Sequence, residues 1–430
     1  MEQYQTIVIG GGAAGLMAAI TSAKQGFKTA IIEKNKALGR KILVTGNGRC
    51  NLTNTGISPD KYYGQNTKCL HSIFNRFSSK DAMAFFEQLG VQLKTEESGR
   101  IFPVTNQAST IVDLLIEEIN RLEIKTCLQE SVKNLVFSKN GWKVETYKGE
   151  YQADNVILAV GGKSYPLLGT TGDGFVMAHK LGHRIVEPRP ALVPLELVGN
   201  WFHKLQGVKS DVDLILTMQG KTVAKEAGEL IFTHYGISGP IVLNLSRLLV
   251  DYLGKPGSEV FISFFPTQDV EGLKGLLSRR WLAHPQKTLA NSLIGLLPKK
   301  LCDVLTAELK LPEKQVNQLT KKELEFIAER LVRWPIIIKR PRSFDEAMVT
   351  AGGVAMDEVN TRTMESLKAK GLYLAGEILD IDGVSGGYNL QFAWSTGYIA
   401  GLQGYLPIVA NVYKDNLKSF TQGQKGDKLN

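Results

Sequence analysis

Four short apolar runs frame the chain. Thr6-Ile7-Val8-Ile9 is rich in branched side chains that suit a strand, and Lys28-Thr29-Ala30-Ile31-Ile32 repeats the pattern. Asp154-Asn155-Val156-Ile157-Leu158-Ala159-Val160-Gly161-Gly162 is apolar without alternation, as a parallel strand covered on both faces would be. Gly371-Leu372-Tyr373-Leu374-Ala375-Gly376-Glu377 is the fourth. Between the runs the period changes. Residues 79–90 place Ala82, Phe85, Phe86 and Leu89 on one helical face, and Ser109 is placed to cap a helix from Ile111 to Leu122. Leu135-Val136-Phe137 and Trp142 to Thr146 flank Asn140-Gly141, which predicts a hairpin with a type I′ turn. Residues 195–266 read as strands, for example Asp213 to Met218 and Glu259 to Phe264. Residues 268–333 turn helical: Thr320-Lys321-Lys322-Glu323 is a capping box followed by Leu324, Ile327, Ala328 and Leu331 on one stripe. From Val349 the α/β style returns.

This order predicts an α/β fold in pieces. A discontinuous Rossmann-like domain spans 1–190 and 345–410, with Pro188, Pro190 and Pro194 marking the crossing out of it. A β-rich, barrel-like insert takes 191–267 and 334–344, a small helical subdomain takes 268–333, and 411–430 is a polar tail.

The first run leads into Gly10-Gly11-Gly12-Ala13-Ala14-Gly15 and then an apolar helix, which is strand, G-x-G-x-x-G, helix. Gly10 permits the turn, Gly12 lets backbone approach a pyrophosphate, and Gly15 lets helix and strand pack closely. The helix N-terminus offers free N–H groups and a positive dipole end to phosphates. Glu33 ends the second strand, where a carboxylate accepts hydrogen bonds from ribose hydroxyls and repels a 2′-phosphate. Gly39-Arg40-Lys41, running to Gly46-Asn47-Gly48-Arg49-Cys50-Asn51, combines backbone donors with guanidinium forks, both suited to anions or a flavin.

Composition narrows the class. No apolar run is long enough to span a membrane, and no leader-like segment precedes the first strand, so a cytoplasmic protein is expected. The four cysteines are dispersed and form no metal or disulfide pattern; Cys50 has no second thiol near it in sequence. The formal charge is +9, and it is uneven: residues 268–344 hold fifteen Lys/Arg against eight Asp/Glu. An anionic partner could use that stretch, although a solvated basic helical surface is the preferred reading and no aromatic stacking series accompanies it.

A second Gly-rich edge lies far along the chain. Gly376-Glu377 and Asp380 lead through Gly383-Val384-Ser385-Gly386 to Gly387-Tyr388-Asn389-Leu390-Gln391 and a helix. One dinucleotide half explains Gly10 to Glu33 but not this edge, whereas a long cofactor such as FAD explains both. An NAD-dependent dehydrogenase using the N-terminal half alone is the rival reading, separated by colour, and a flavoprotein that binds or modifies RNA through the basic insert is another.

These segments, with Pro190-Ala191-Leu192-Val193-Pro194-Leu195, Phe232-Thr233-His234 through Ser238-Gly239-Pro240, Val349 to Val354 and Thr363-Met364-Glu365-Ser366, resemble the BaiN/YhiN-type flavoproteins, relatives of aminoacetone oxidase, over nearly the whole chain. The resemblance implies an FAD-binding two-part Rossmann-like domain, interrupted by the insert, that performs flavin-dependent redox chemistry. Relatives look like reductases of unsaturated rings in some cases and amine oxidases in others, so the expected function is hydride transfer between a small organic substrate and flavin. NAD(P)H, docking transiently, or oxygen would be the other redox partner. The cofactor candidates are Gly10, Gly12, Ala13, Ala14, Gly15, Glu33, Lys34, Gly39, Arg40, Lys41, Gly46, Asn47, Gly48, Arg49, Cys50 and Asn51 from the first third. Val132, Ala159, Gly161, Gly162, Gly376, Glu377, Asp380, Gly387, Tyr388, Asn389, Leu390 and Gln391 complete them, with the helix at Tyr388-Asn389 aimed at the flavin pyrimidine edge and Glu377 or Asp380 at the ribityl chain. His234 and Tyr235, in a Gly-flanked turn of the insert, are the catalytic candidates, and Arg100 is one for an acidic substrate. No metal is expected.

Overall fold

The computed structural model describes residues 2–250 and 252–404; the polar tail 411–430 lies outside them. Its centre is a parallel sheet in the order Leu372–Leu374, Glu150–Leu158, Glu2–Ile9, Thr29–Glu33, Lys125–Leu128. All four apolar runs are therefore neighbours in one sheet. The first strand begins at Glu2 because Glu2, Gln3 and Tyr4 pair with Tyr151, Gln152 and Ala153, which lengthens it beyond its apolar half. The hairpin Val132–Ser138 and Gly141–Thr146 joins the edge of Glu150–Leu158 antiparallel. Its turn is not type I′: Gly141 takes the left-handed position (φ 93°) and Asn140 does not. This matches a type I turn followed by a left-handed residue.

Two helices lie together on the sheet, Ala13–Lys24 and Tyr388–Leu402. They approach closely because glycines face backbone. A Cβ on Gly397 would stand 2.4 Å from the Ala14 carbonyl oxygen, and one on Gly401 2.5 Å from that of Ala18. The helix Ser79–Gln88 starts with a capping box of Ser78 and Asp81. The helix Ala108–Arg121 starts earlier than its sequence suggested, at an N-cap Gln107 that makes no side-chain cap, so Ser109 is not its cap.

A seven-stranded antiparallel sheet occupies the middle of the chain, in the order Trp334–Ile336, Ser258–Ser263, Lys209–Met218, Lys221–Phe232, Gly236–Ser238, Leu195–Leu197, Ile338–Pro341. Its two edge strands follow one another in the chain, so the sheet curls until they meet. The helices Val270–Ala283, Lys299–Glu308 and Lys321–Val332 share its apolar core. A second large core fills the α/β part. Between the two lies a small cluster of Ala191, Leu192, Leu243, Val349 and Ala351. Among the described residues, no helix is long and apolar enough to cross a membrane.

Candidate cofactor cleft

Parallel strands end together, and their C-terminal loops leave a crevice outside the sheet. Here that crevice is one cleft with about 1380 Å³ of free space, open solvent at its mouth included. Gly10, Gly12, Ala13, Ala14 and Glu33 line it together with Gly376, Glu377, Asn389 and Leu390. The two Gly-rich edges that are remote in sequence thus border a single space.

The first edge is built as a phosphate cradle. Gly10 (φ +101°) turns the chain where a Cβ would lie 2.5 Å from the Ala159 carbonyl oxygen. Gly12 caps the helix with ordinary extended backbone (φ −84°) and no side-chain cap bond. A Cβ built on it meets nothing within 4 Å, so the space in front of the helix N-terminus is kept clear. Uncapped N–H groups, an open cradle and the positive dipole end fit a pyrophosphate. Gly15 has the packing role: its Cβ would stand 1.8 Å from the Gly10 carbonyl oxygen, and it does not border the cleft.

Glu33 is buried at the strand end, and its oxygens are already engaged. Oε2 accepts from the Gly11 N–H at 2.7 Å, and Oε1 from the Asn35 N–H at 2.7 Å. Oε1 also accepts from Asn35 Nδ2 at 2.6 Å, so it is Oε2 that keeps a further lone pair for a ribose hydroxyl. Lys34, Arg40 and Lys41 line the same wall. Lys34 Nζ contacts Asp173 Oδ2 at 2.6 Å, and Arg40 donates to Asn35 Oδ1 at 2.7 Å. Val132, Ala159, Gly161, Gly39 and the Thr170 to Gly174 turn also line the cleft.

At the second Gly-rich edge, Glu377 Oε2 accepts from Lys41 Nζ at 2.7 Å, while Oε1 accepts from Ser164 Oγ at 2.6 Å and the Thr350 N–H at 2.8 Å. Of the two ribityl candidates, Glu377 borders the cleft and Asp380 does not. Asp380 is buried behind it, where Oδ2 accepts from the Gln65 N–H at 3.0 Å and burial raises its pKa. The helix Tyr388–Leu402 starts from Gly387 (φ 99°) with no side-chain cap, and its first turns bring Asn389, Leu390, Phe392 and Ala393 to the cleft.

Several expected contacts are placed elsewhere. In the Gly39 to Asn51 stretch, lining ends at Thr45, and Gly46, Asn47, Gly48, Arg49, Cys50 and Asn51 do not border the cleft. Arg49 pairs instead with Glu96 and stacks its guanidinium on Phe102, 4.1 Å from the ring centre. Cys50 is fully buried, and burial pushes its thiol up to about 12, which suppresses the reactive thiolate. Asn51 is buried with Oδ1 unpartnered, close to the backbone of Gly387. Gly162 faces Thr350, Gly387 faces the Thr53 carbonyl, and Tyr388 is buried in the core. Gln391 is a core strut, accepting from Thr53 Oγ1 and donating to Ser395 Oγ. None of these four borders the cleft.

The catalytic candidates also lie outside the lining. His234 is exposed. Tyr235 is half-buried, and its hydroxyl donates to Glu346 Oε2 at 3.2 Å, two residues before Met348, which does line the cleft. Arg100 opens a strand of a separate three-stranded sheet, with Nε buried and unpartnered. Asn35, Glu130, Ser131, Met348 and Val349 border the cleft without having been expected to. Asn35 and Glu130 could have been sought from their places beside the acidic strand end and beside Val132; Met348 carries no such signal.

A family model described as HI0933-like protein Rossmann domain matches residues 4–403. The chain belongs to this family. The BaiN/YhiN-type resemblance is thereby borne out. This HI0933-like chain is 35% identical over 399 residues to the 3-dehydro-bile acid delta(4,6)-reductase of Clostridium scindens, covering 92% of this chain and 97% of that one. It is 32% identical over 399 residues to the ribosomal RNA dihydrouridine synthase of Escherichia coli, covering 93% and 97%. Among solved structures, the 3-ketosteroid-delta4-(5alpha)-dehydrogenase of Rhodococcus jostii RHA1 superposes with a TM-score of 0.51 at 14% identity, over 94% of this chain and 96% of that one. That likeness speaks for the fold alone. The α/β Rossmann fold and the family make the chain an FAD-binding oxidoreductase, and the cleft fits the cofactor: cradle, carboxylate and uncapped helices lie along one groove.

Proposed function

We propose that this HI0933-like protein saturates a ring carbon–carbon double bond conjugated to a carbonyl. The observation that carries this is a coincidence between two relatives, each similar over more than nine-tenths of its length. One is named for reducing steroid-type Δ4,6 double bonds and the other for making dihydrouridine. Their substrates are unlike, but each name describes adding two hydrogens across a conjugated ring double bond. Bound FAD supplies the hydride chemistry. Glu377 and Lys41 hold its polar chain, and the N-terminus of Tyr388–Leu402 favours negative charge beside Asn389. The substrate's β-carbon takes the hydride and its α-carbon a proton. Tyr235 is the proton donor of this reading, supported by its half-buried hydroxyl and by its partner Glu346, which lies two residues before the cleft-lining Met348. NADH or NADPH, docking transiently, is the proposed electron source.

Anaerobic mixing of the photoreduced protein with a cyclic enone, with uridine-containing RNA and with their saturated counterparts tests the reading. Return of the oxidised flavin spectrum with an unsaturated compound only is the expected result. Reoxidation by oxygen but by none of the unsaturated compounds would overturn it.

One observation favours RNA as the carrier of the ring. The charge excess of 268–344 sits on helices whose Lys300, Lys321 and Lys322 are exposed, and Arg330 stacks over the exposed ring of Phe326 at 5.4 Å. Backbone phosphates would meet this surface, with affinity falling steeply as salt rises. Lys321→Glu with Lys322→Glu should weaken RNA binding and flatten its salt dependence while a small enone is still reduced. Equal RNA binding by this variant would remove the surface from the reading.

A further inference from the structure

The helix Pro240–Leu249 belongs to the seven-stranded insert but faces two ways. Ile241, Val242, Leu245 and Leu249 are buried in the insert core. Leu243 leaves that core for the small junction cluster, where it meets Val349, a residue of the cleft wall. Asn244 and Arg247, three positions apart, are neighbours on the helix surface. Asn244 Oδ1 accepts from the Ser385 N–H at 2.9 Å, and Arg247 Nε donates to Asp382 Oδ2 at 2.7 Å. Arg247 also lies over the Tyr63 ring, 5.0 Å from its centre.

The segment they grip is the one that delivers the second Gly-rich edge to the cleft. Asp382 pairs with Tyr63 and Gly383 with Tyr62, and Asn389 clamps Gly383, accepting from its N–H and donating to its carbonyl, both at 2.8 Å. Asn389 itself borders the cleft. A continuous set of contacts therefore runs from an insert helix, through a buried carboxylate and a backbone N–H, to the helix turn at the flavin end.

We propose that Asn244 and Arg247 are positioning residues through which the insert sets the geometry of the Asp382 to Asn389 loop and so of the flavin end of the cleft. The physical case is the environment of Asp382. It is 1% exposed, its Oδ1 has no partner, and Arg247 supplies its charge-bearing contact. A buried carboxylate that loses such a partner must neutralise or move, because an uncompensated charge in the interior is strongly unfavourable. Movement of Asp382 displaces Gly383 and, through its two bonds, Asn389.

The test uses the purified full-length holoprotein and the variants Arg247→Ala, Arg247→Lys and Asn244→Ala, with Lys299→Ala, an exposed i,i+4 pair on the far helices, as control. Flavin absorption, flavin fluorescence, FAD affinity and midpoint potential are read at a temperature well below each variant's melting point. Expected are an altered flavin band, raised fluorescence and about tenfold weaker FAD binding for Arg247→Ala. Arg247→Lys should be partly restored, Asn244→Ala altered in the same direction, and the control unchanged. A role confined to fastening the insert lowers the melting temperature and leaves spectrum, affinity and potential at parental values; that result overturns the proposal. If Arg247→Ala does not fold, Asn244→Ala and Arg247→Lys decide on the same readouts.

Discussion

Lys41 and Glu377 meet across the cleft, Nζ to Oε2 at 2.7 Å, although 336 positions separate them in the chain. Glu377 also closes Ser164 and the Thr350 N–H onto the same carboxylate. Replacing it by Ala leaves a lysine and a backbone donor without their acceptor, a loss of roughly 1–3 kcal/mol. Glu377→Ala should lower the denaturant midpoint and release FAD more readily, and Glu377→Gln should recover most of the stability but less of the affinity. Parental FAD release in Glu377→Ala would take the residue out of the cofactor site.

Gly12 and Gly10 should respond oppositely to a side chain. Gly12 has unstrained backbone and open space before it, so Gly12→Val should fold with near-parental stability and purify colourless. Gly10 has left-handed backbone against Ala159, so Gly10→Ala should lose stability as well as flavin. Full flavin occupancy in Gly12→Val would mean that no pyrophosphate lies there.

Glu33 reads differently now that its bonds are known. Glu33→Gln keeps one acceptor oxygen for either the Gly11 or the Asn35 N–H and loses a charge-assisted bond. Such bonds are worth about 1.5–3 kcal/mol, so FAD affinity should fall roughly tenfold to a hundredfold while the flavin potential stays near the parental value. Isothermal titration of apoprotein with FAD measures this; unchanged affinity would leave Glu33 as a loop fastener only.

The parts legible in the sequence were those where one local chemistry has few alternatives. The four apolar runs read as buried strands, and Gly10 and Gly15 sit where backbone meets backbone. The parts that were not legible depend on distant partners. Gly46 to Asn51 has the composition of an anion loop, but Arg49 is claimed by Glu96 and Phe102, and Cys50 is turned into the core. Gln391 reads as a polar group at a helix start, yet Thr53 and Ser395 absorb it in the interior. Arg247 carries no local signal at all; its role exists only because the insert helix lies against Asp382.

Burial lifts the Asp382 carboxyl to about 6, despite Arg247. The folded state therefore holds more protons than the unfolded state between the ordinary aspartate range and pH 6. By linkage, this group's contribution to stability is greatest at low pH and falls as pH rises through that window. Asp382→Asn does not titrate, so the stability difference, variant minus parent, should become more positive from pH 4 to pH 6.5 and then level off. Denaturation midpoints at several pH values measure it. A pH-independent difference would show that Asp382 ionises normally in the fold.

The two neighbours His234 and Tyr235 separate under substitution. His234 is exposed and touches the Tyr235 ring edge-to-face, with centroids 4.8 Å apart, so its removal costs little packing. Tyr235 is held from two sides, by Glu346 at its hydroxyl and by Arg342 over its ring at 4.6 Å, and burial raises its pKa. A proton donor should stay protonated at working pH, which a raised phenol does. Tyr235→Phe keeps the ring and its cation contact but removes the proton. It should retain flavin and melting temperature and reduce substrate-driven flavin reoxidation about 10²–10⁴-fold, the range for a lost general acid. Reduction of the flavin by its electron donor should be unaffected, because no proton from the substrate side is needed there. His234→Ala should slow reoxidation far less. The reverse order, with His234→Ala slow and Tyr235→Phe parental, would transfer the proton-donor role to His234 and require the exposed turn to fold inward over the bound substrate.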